Sequence, residues 1–314
     1  MKENLLDALR CPLCRGVLKI GRIRRRSGGE ILKGSLVCAG CGEAHPIEGG
    51  LPILAPPEVR TDVETIGMEM IRICERLGTK QFAQRLLADT WEPSGGWRRK
   101  PGEPAVTPAQ VRRGGQYATL RFEKSRGKGA PGKSESKTIE MLDLPKRYRI
   151  LDLCTGGGYL LCELVKHLRD DHHAIAVDIS YESLKFTQGI IRRLGHPDRC
   201  AFVVGDARCL PFADAYFDGI TSNAGLDHIE GYVRAIDEVS RVLIPGGVFV
   251  HAGNTRLTVW GLEDVLTEAE QQSILERQGK PLGEAAVLEA LRRRGFGFRA
   301  PYREGKWFAV ASKK

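Results

Sequence analysis

Arg149-Ile-Leu-Asp-Leu-Cys-Thr-Gly-Gly-Gly-Tyr159 is the stretch whose reading decides the fold. Ile150, Leu151 and Leu153 make a short apolar strand around Asp152, three glycines come next, and an apolar-periodic helix runs from Tyr159 to Leu168. A strand that turns on glycine into a helix brings a ligand close to bare backbone, where the helix's unpaired N–H groups point outward. By itself the turn says little, because glycine also occupies such corners for packing alone. Its meaning depends on the residues at the later strand ends.

Downstream, apolar strands alternate with amphipathic helices. Strands are expected at 174–178, 201–204, 217–222 and 247–251, helices at 136–142, 182–194, 230–243 and 284–294, and final strands near 296–299 and 306–312. An insertion at 255–282 carries a helical pattern near 267–278. Regular alternation predicts an α/β doubly wound, Rossmann-like sheet of seven strands, with the ligand outside the strands' carboxyl ends.

Three carboxylates fall at successive strand ends: Asp152, Asp178 and Asp206. Asn223 and then His228 come after the fourth strand. A carboxylate at the second strand end can accept from both hydroxyls of a ribose, in a nicotinamide dinucleotide as in other nucleosides. The turn, however, lacks the GxGxxG spacing of a dinucleotide site. An acid immediately before it repels a diphosphate and suits a cationic sulfonium and α-amino group, which points to S-adenosylmethionine.

On these residues, together with Leu210-Pro-Phe212, Phe217-Asp218 and Leu243-Ile-Pro-Gly-Gly247, residues 136–314 resemble the class I S-adenosylmethionine-dependent methyltransferases. They are most similar to the type 11 branch that holds the ubiquinone/menaquinone methyltransferases. The resemblance implies that Asp152 and the turn at Cys154, Thr155, Gly156 and Gly158 hold the amino-acid end of the cofactor. It assigns Asp178, with Ile179 beside it, to the ribose. Asp206 and the Ala207 N–H would read the adenine edge, and Asn223 would lie near the sulfonium. Cys154 stands where the family often has glycine, which implies altered affinity at that corner.

The amino-terminal part carries a second signal. Cys11-Pro-Leu-Cys14 and Cys38-Ala-Gly-Cys41 are separated by 23 residues in which Val17–Ile20 and Ile31–Val37 suit a hairpin, with its turn at Arg24–Glu30. A short helix is expected at Glu3–Leu9. Two such knuckles offer four thiolates in the tetrahedral arrangement of a structural zinc, and His45 is read as loop rather than ligand. Through Glu-Ala-His45-Pro-Ile and Leu51-Pro-Ile-Leu54, the first 55 residues resemble the zinc-ribbon family of the small activator of tRNA methyltransferases. Members of that family commonly serve methyltransferases as partners, and a comparable ribbon precedes the catalytic domain of some ribosomal RNA guanine methyltransferases.

The chain therefore divides into a zinc ribbon at 1–55, a helical and basic linker at 56–135 and a methyltransferase domain at 136–314. Helical patterns fall at Asp62–Leu77 and Lys80–Trp91. The net charge of +9 is uneven: residues 95–137 hold 11 basic and 3 acidic side chains, residues 138–314 hold 23 and 24. The basic stretch is either an electrostatic footprint for a polyanion or a solvated linker. No apolar run approaches the ~18 residues of a membrane span, and no signal-peptide core opens the chain, so a cytoplasmic protein is expected.

Methyl transfer demands an in-line arrangement of nucleophile, methyl and sulfur and a destination for the proton. His228 is the candidate base, with a helix-capping role as its alternative; His251 is a weaker candidate. The acceptor is expected to be a small or lipid-like molecule, with RNA or a translation component docked through the ribbon and basic stretch as the alternative. A non-catalytic scaffold is the remaining reading.

Overall fold

The computed structural model describes residues 1–55, 133–226, 229–254, 268–269, 272, 282–299, 302–304 and 306–314. The helical patterns at 62–77 and 80–91, nearly all of the basic stretch and of the insertion helix near 267–278, and His228 lie outside the described residues.

The ribbon is a four-stranded antiparallel sheet of β1 (Leu18–Ser27), β2 (Glu30–Cys38), β3 (Ala44–Glu48) and β4 (Leu51–Pro52), in that order. A 3-10 turn at Glu3–Asp7 precedes it. The hairpin closes on Gly28-Gly29, both at positive φ, with Ser27 opposite Glu30. Two consecutive left-handed residues make the tight turn whose twist matches paired strands. The β1 strand therefore continues through Arg24, Arg25 and Arg26, which sequence spacing assigns to the turn.

The larger sheet runs β10-β12-β9-β8-β5-β6-β7, with β11 paired to β12. Its parallel strands are β5 (Arg149–Leu153), β6 (His173–Asp178), β7 (Cys200–Val204), β8 (Phe217–Asn223) and β9 (Leu243–Asn254). The last three, β10 (Phe296–Phe298), β11 (Tyr302–Glu304) and β12 (Lys306–Lys313), pair antiparallel, with β12 against β9. The expected doubly wound seven-strand sheet is present. Two strands differ from expectation: β11 is an addition paired to β12, and β9 begins at Leu243, where its preceding helix ends, because Leu243 already pairs with Phe217 before a register shift.

Both faces are covered, which explains why the strands read as continuous apolar runs rather than alternating ones. On one face lie α1 (Lys133–Leu142), α2 (Tyr159–His167) and α3 (Tyr181–Arg193), burying Ile139, Leu142, Leu161, Leu164 and Ile191 against Ile150, Ala176 and Val250. On the other, α4 (Tyr232–Val242) and α5 (Glu284–Arg292) bury Ile236, Val239, Val287 and Leu291 against Leu151, Ile220 and Phe249. Helices on both faces leave the carboxyl edge of the sheet for a ligand. Strand order reverses between β5 and β8, where such a crevice forms.

The ribbon closes the β7 edge of this sheet. Leu54 N donates to Val204 O at 2.7 Å, with Ile53 bridged parallel to Val204. Leu9 is bridged to Phe212, with Arg10 N donating to Pro211 O and Ala213 N to Ala8 O, each at 2.9 Å. Lys185 Nζ on α3 donates to Gly49 O at 2.9 Å, and Arg15 pairs with Glu238 at 3.0 Å. Leu9, Leu36, Ile47 and Leu54 share one buried cluster with Val203 and Phe212. A continuous core of this kind melts as a unit. Leu9→Ala should destabilise it by about 2–4 kcal/mol, read by calorimetry as a downward shift of a single transition; two separate transitions would show that the core is divided.

Candidate active site and metal centre

The turn after β5 is left-handed at Cys154, Gly156 and Gly158, with φ of 58°, 51° and 74°. Glycine adopts this backbone freely. At Gly158 it is also required by space, since a Cβ there would lie 2.3 Å from Thr187 Cγ2 on α3. Cys154 pays the left-handed cost and packs against Gly225, where a Cβ would meet Cys154 Cβ at 2.3 Å. The cysteine at the corner is matched by glycine opposite it. Thr155 fastens the loop, donating from N to Val177 O at 3.1 Å and from Oγ1 to Asp152 O at 3.0 Å.

The three carboxylates converge on this turn. Asp152 is buried at 2 % exposure, accepts from Thr221 Oγ1 at 3.2 Å through Oδ1, and leaves Oδ2 without a partner. Burial, reinforced by the charge of Asp178, pushes its pKa up to about 7, against the hydrogen bonds from Thr155 and Thr221. Asp178, at the end of β6, accepts from Gly156 N at 2.8 Å and Ser180 N at 2.9 Å. It thereby ties the turn to the second strand, and burial raises its pKa as well. Ile179 beside it is half-buried against the core. The same three acids, after burial, hold the Cys154 thiol far above its ordinary range, so this cysteine stays protonated.

Asp206 caps the 3-10 turn at Ala207–Cys209 by accepting from Arg208 N at 2.8 Å. Its other oxygen takes the Arg208 guanidinium, Nη2 to Oδ2 at 2.8 Å. Sequence reasoning missed this arginine, two residues from an acid it singles out. Asn223 closes β8, and its amide contacts Ser134 and Glu135 of α1 and Lys306 of β12. None of these three partners carries a local sequence signal; only the sheet register and the docking of α1 bring them to the mouth. Buried His251 lies between Phe249 and Trp307. Burial, then the charge of Lys306, pulls its pKa down to about 3. A ring that resists protonation this strongly is a poor proton acceptor.

In the ribbon, Cys11, Cys14, Cys38 and Cys41 place their Sγ atoms within 4.8 Å of one another, with 3.7 Å between Cys11 and Cys41 and 3.4 Å between Cys14 and Cys38. Tetrahedral zinc with Zn–S bonds near 2.3 Å spaces its sulfurs by about 3.8 Å, so the four thiols fit the ion. The N–H groups of Cys41 and Gly40 pull the Cys38 thiol down to about 6. His45 Nε2 stands 3.5 Å from Cys11 Sγ, a neighbour of the cluster rather than part of it. No open position is built for catalysis, so zinc here is structural.

Comparison with known proteins agrees with both units. Residues 150–247 match the family described as methyltransferase domain, and residues 2–50 match that described as Trm112p-like protein. The chain carries a methyltransferase domain joined to a Trm112p-like one. Among curated proteins, the ubiquinone/menaquinone biosynthesis C-methyltransferase UbiE of Pectobacterium carotovorum is 34% identical over 110 residues, covering 35% of this chain and 44% of that protein. The demethylmenaquinone methyltransferase of Lactiplantibacillus plantarum is 33% identical over 114 residues, covering 36% of this chain and 48% of that protein. The chain spans about half the length of the curated relatives it matches. In fold it resembles an O-methyltransferase family protein from Burkholderia thailandensis, with a TM-score of 0.50 at 13% identity over 65% of this chain and 60% of that one.

This geometry has two measurable consequences. The folded protein holds the Asp152 proton between the ordinary carboxylate range and about 7. The native state therefore binds more protons there than the unfolded chain, and this group's contribution to stability falls as pH rises through that window. A cationic ligand favours the ionised form, so calorimetric affinity for S-adenosylmethionine should increase by up to roughly tenfold per pH unit between pH 5 and about 7. Asp152→Asn should flatten that dependence. For the ribbon, metal analysis should find one zinc per chain, and Cys38→Ser should lower both zinc content and melting temperature.

Proposed function

We propose that the protein transfers a methyl group from S-adenosylmethionine to a small or lipid-like organic acceptor, working in the cytoplasm. One observation carries this reading: three acids at successive strand ends, Asp152, Asp178 and Asp206, surround a left-handed glycine turn. Such a ring is hostile to a diphosphate and suited to a sulfonium, an α-amino group and a ribose. Asp178 stands at the end of β6 beside the turn, where a carboxylate suits a ribose hydroxyl. Asp206 and the Ala207 N–H would face the adenine edge, with Arg208 sharing the Asp206 carboxylate. The quinone methyltransferases among the relatives support a small, oxygen-bearing acceptor. No helix among the described residues is long and apolar enough to cross a membrane.

A second reading, an RNA acceptor, is favoured by the outer strand of the ribbon. Lys19, Arg22, Arg24, Arg25 and Arg26 are all exposed on β1, the edge of its sheet. A row of cations on a sheet edge suits a phosphate backbone.

Calorimetry separates these from a non-catalytic scaffold. S-adenosylmethionine should bind, and Asp178→Ala should weaken it by about 2–3 kcal/mol, roughly 30- to 150-fold. Absence of binding by the unaltered protein would defeat the enzyme reading. Mass-spectrometric comparison of lipid, small-molecule and RNA pools from a strain lacking the gene should reveal an under-methylated small molecule or lipid; an under-methylated RNA would select the second reading.

A further inference from the structure

The outer strand of the ribbon, β1, holds five basic side chains and no acid in its 10 residues. Arg26 pairs with Glu3 at 2.5 Å, while Glu30 and Glu48 turn to Arg192 and Lys33. Lys19, Arg22 and Arg24 are exposed and meet no carboxylate among the described residues. From Arg22 to Ser27 every residue of the strand is exposed. Successive side chains of a strand point to opposite faces, so this end of the hairpin stands clear on both. Its backbone is a poor template for an added strand. Pairing with β2 shifts register between Ile20 and Ile23 and again between Ile23 and Arg25, and the Arg22 N–H donates to Ser35 Oγ at 3.1 Å. Bulges twist an edge away from a neighbouring chain, so a partner meets the side chains rather than the ladder.

Those side chains are not all cationic. Three of the exposed large hydrophobic residues fall in this part of the ribbon: Leu13 at 59 %, Val17 at 52 % and Ile23 at 37 %. Leu13 stands between Cys11 and Cys14 in the first knuckle, and Ile23 between Arg22 and Arg24. One exposed aliphatic residue means little, but three between residues 13 and 23, interleaved with Lys19, Arg22 and Arg24, make a mixed strip. A phosphate backbone and an anionic bilayer both attract its cations. They differ in what else they ask of a surface. Single-stranded nucleic acid stacks its bases on aromatic rings, and residues 1–55 contain no Phe, Tyr or Trp. Aliphatic side chains gain little against a polyphosphate. At a bilayer they leave water for the acyl boundary while the neighbouring cations stay among the headgroups.

We propose that the β1 edge and the Cys11–Cys14 knuckle dock the protein on an anionic lipid bilayer. Lys19, Arg22 and Arg24 meet the headgroup phosphates, and Leu13, Val17 and Ile23 enter the interface beside them. The contact is peripheral: no helix among the described residues is long and apolar enough to cross a membrane. It stands on the surface of the ribbon alone and goes beyond the methyl-transfer reading, whichever acceptor the catalytic domain takes. For a lipid-like acceptor, it brings enzyme and substrate onto one surface.

The test is sedimentation of the full chain with vesicles of phosphatidylcholine and phosphatidylglycerol in a three-to-one ratio, against vesicles of phosphatidylcholine alone. The unaltered protein should bind the anionic vesicles more tightly, and less so as salt rises from about 0.1 M to 1 M and the screening length falls from about 10 to 3 Å. A cation near such a surface contributes about fivefold, so changing Lys19→Gln, Arg22→Gln and Arg24→Gln together should weaken binding about a hundredfold at the lower salt. Leu13→Gln with Ile23→Gln should weaken it at both salts, because burial of aliphatic surface is not screened. Zinc content and melting temperature of each variant report on the ribbon; should one lose metal, Arg22→Gln with Arg24→Gln alone, away from the thiols, should still weaken binding about 25-fold. Failure of the unaltered protein to bind the anionic vesicles would overturn the proposal, as would equal binding by variants that keep their zinc. A single-stranded RNA oligonucleotide, bound while the vesicles are not and lost in the triple variant, would overturn it in favour of a nucleic-acid partner.

Discussion

Left-handed backbone between β5 and α2 is the constraint on which the rest of the site depends. At Cys154, Gly156 and Gly158 the chain reverses within a few residues, so the N-terminus of α2 and the end of β5 face the same space. Asp178 stabilises that reversal from the neighbouring strand by accepting the Gly156 N–H, and Thr187 on α3 crowds Gly158 from above. One carboxylate thus serves both the shape of the turn and the charge of the crevice. The adjustment at Cys154 is local: the side chain occupies room that Gly225 leaves open.

Charge in the crevice is arranged by withholding solvent. Asp152 sits beneath the turn with one oxygen unpartnered, an arrangement that costs free energy. Asp206 has its own counterion in Arg208, and Asn223 stands between a carboxylate and an ammonium. The acids therefore differ in task by surroundings rather than by type: one is left unsatisfied, one is tied to backbone, and one is paired with arginine.

The ribbon supplies what an open parallel sheet lacks, a partner for its outer strand. Exposed strand edges invite pairing with other chains. Here Ile53 and Leu54 run beside Val204, while Leu9 and Arg10 pair beyond the Asp206 loop with Pro211 and Phe212. The loop from Gly205 to Leu210 is held between these two contacts. Four thiols that fit one zinc ion hold the knuckle from which Arg10 and Leu9 emerge. Ribbon and the Asp206 loop are packed together, and a small domain without a large core of its own shares that of its neighbour.

Much was legible without coordinates because it depends on short-range chemistry. Alternating apolar runs and amphipathic stretches, paired CxxC knuckles and an acid before a glycine turn each express a local rule of backbone or ligand geometry. On those rules most of the strands and helices described here and the thiol cluster lie where the residues indicate, but β3, β4 and β11 were not expected, the helix expected at Glu3–Leu9 is a 3-10 turn, the Gly28-Gly29 pair closes its hairpin later than expected and β9 starts earlier. Tertiary structure decided the remainder. Lys306 reaches Asn223 only because β12 pairs antiparallel with β9, and Glu135 reaches it only because α1 crosses the ends of β8 and β9. The union of Leu54 with Val204 depends on the register of two distant strands. Sequence spacing encodes which residues share a turn or a face; contacts across more than a hundred residues depend on how whole sheets and helices pack, and no local pattern carries that information.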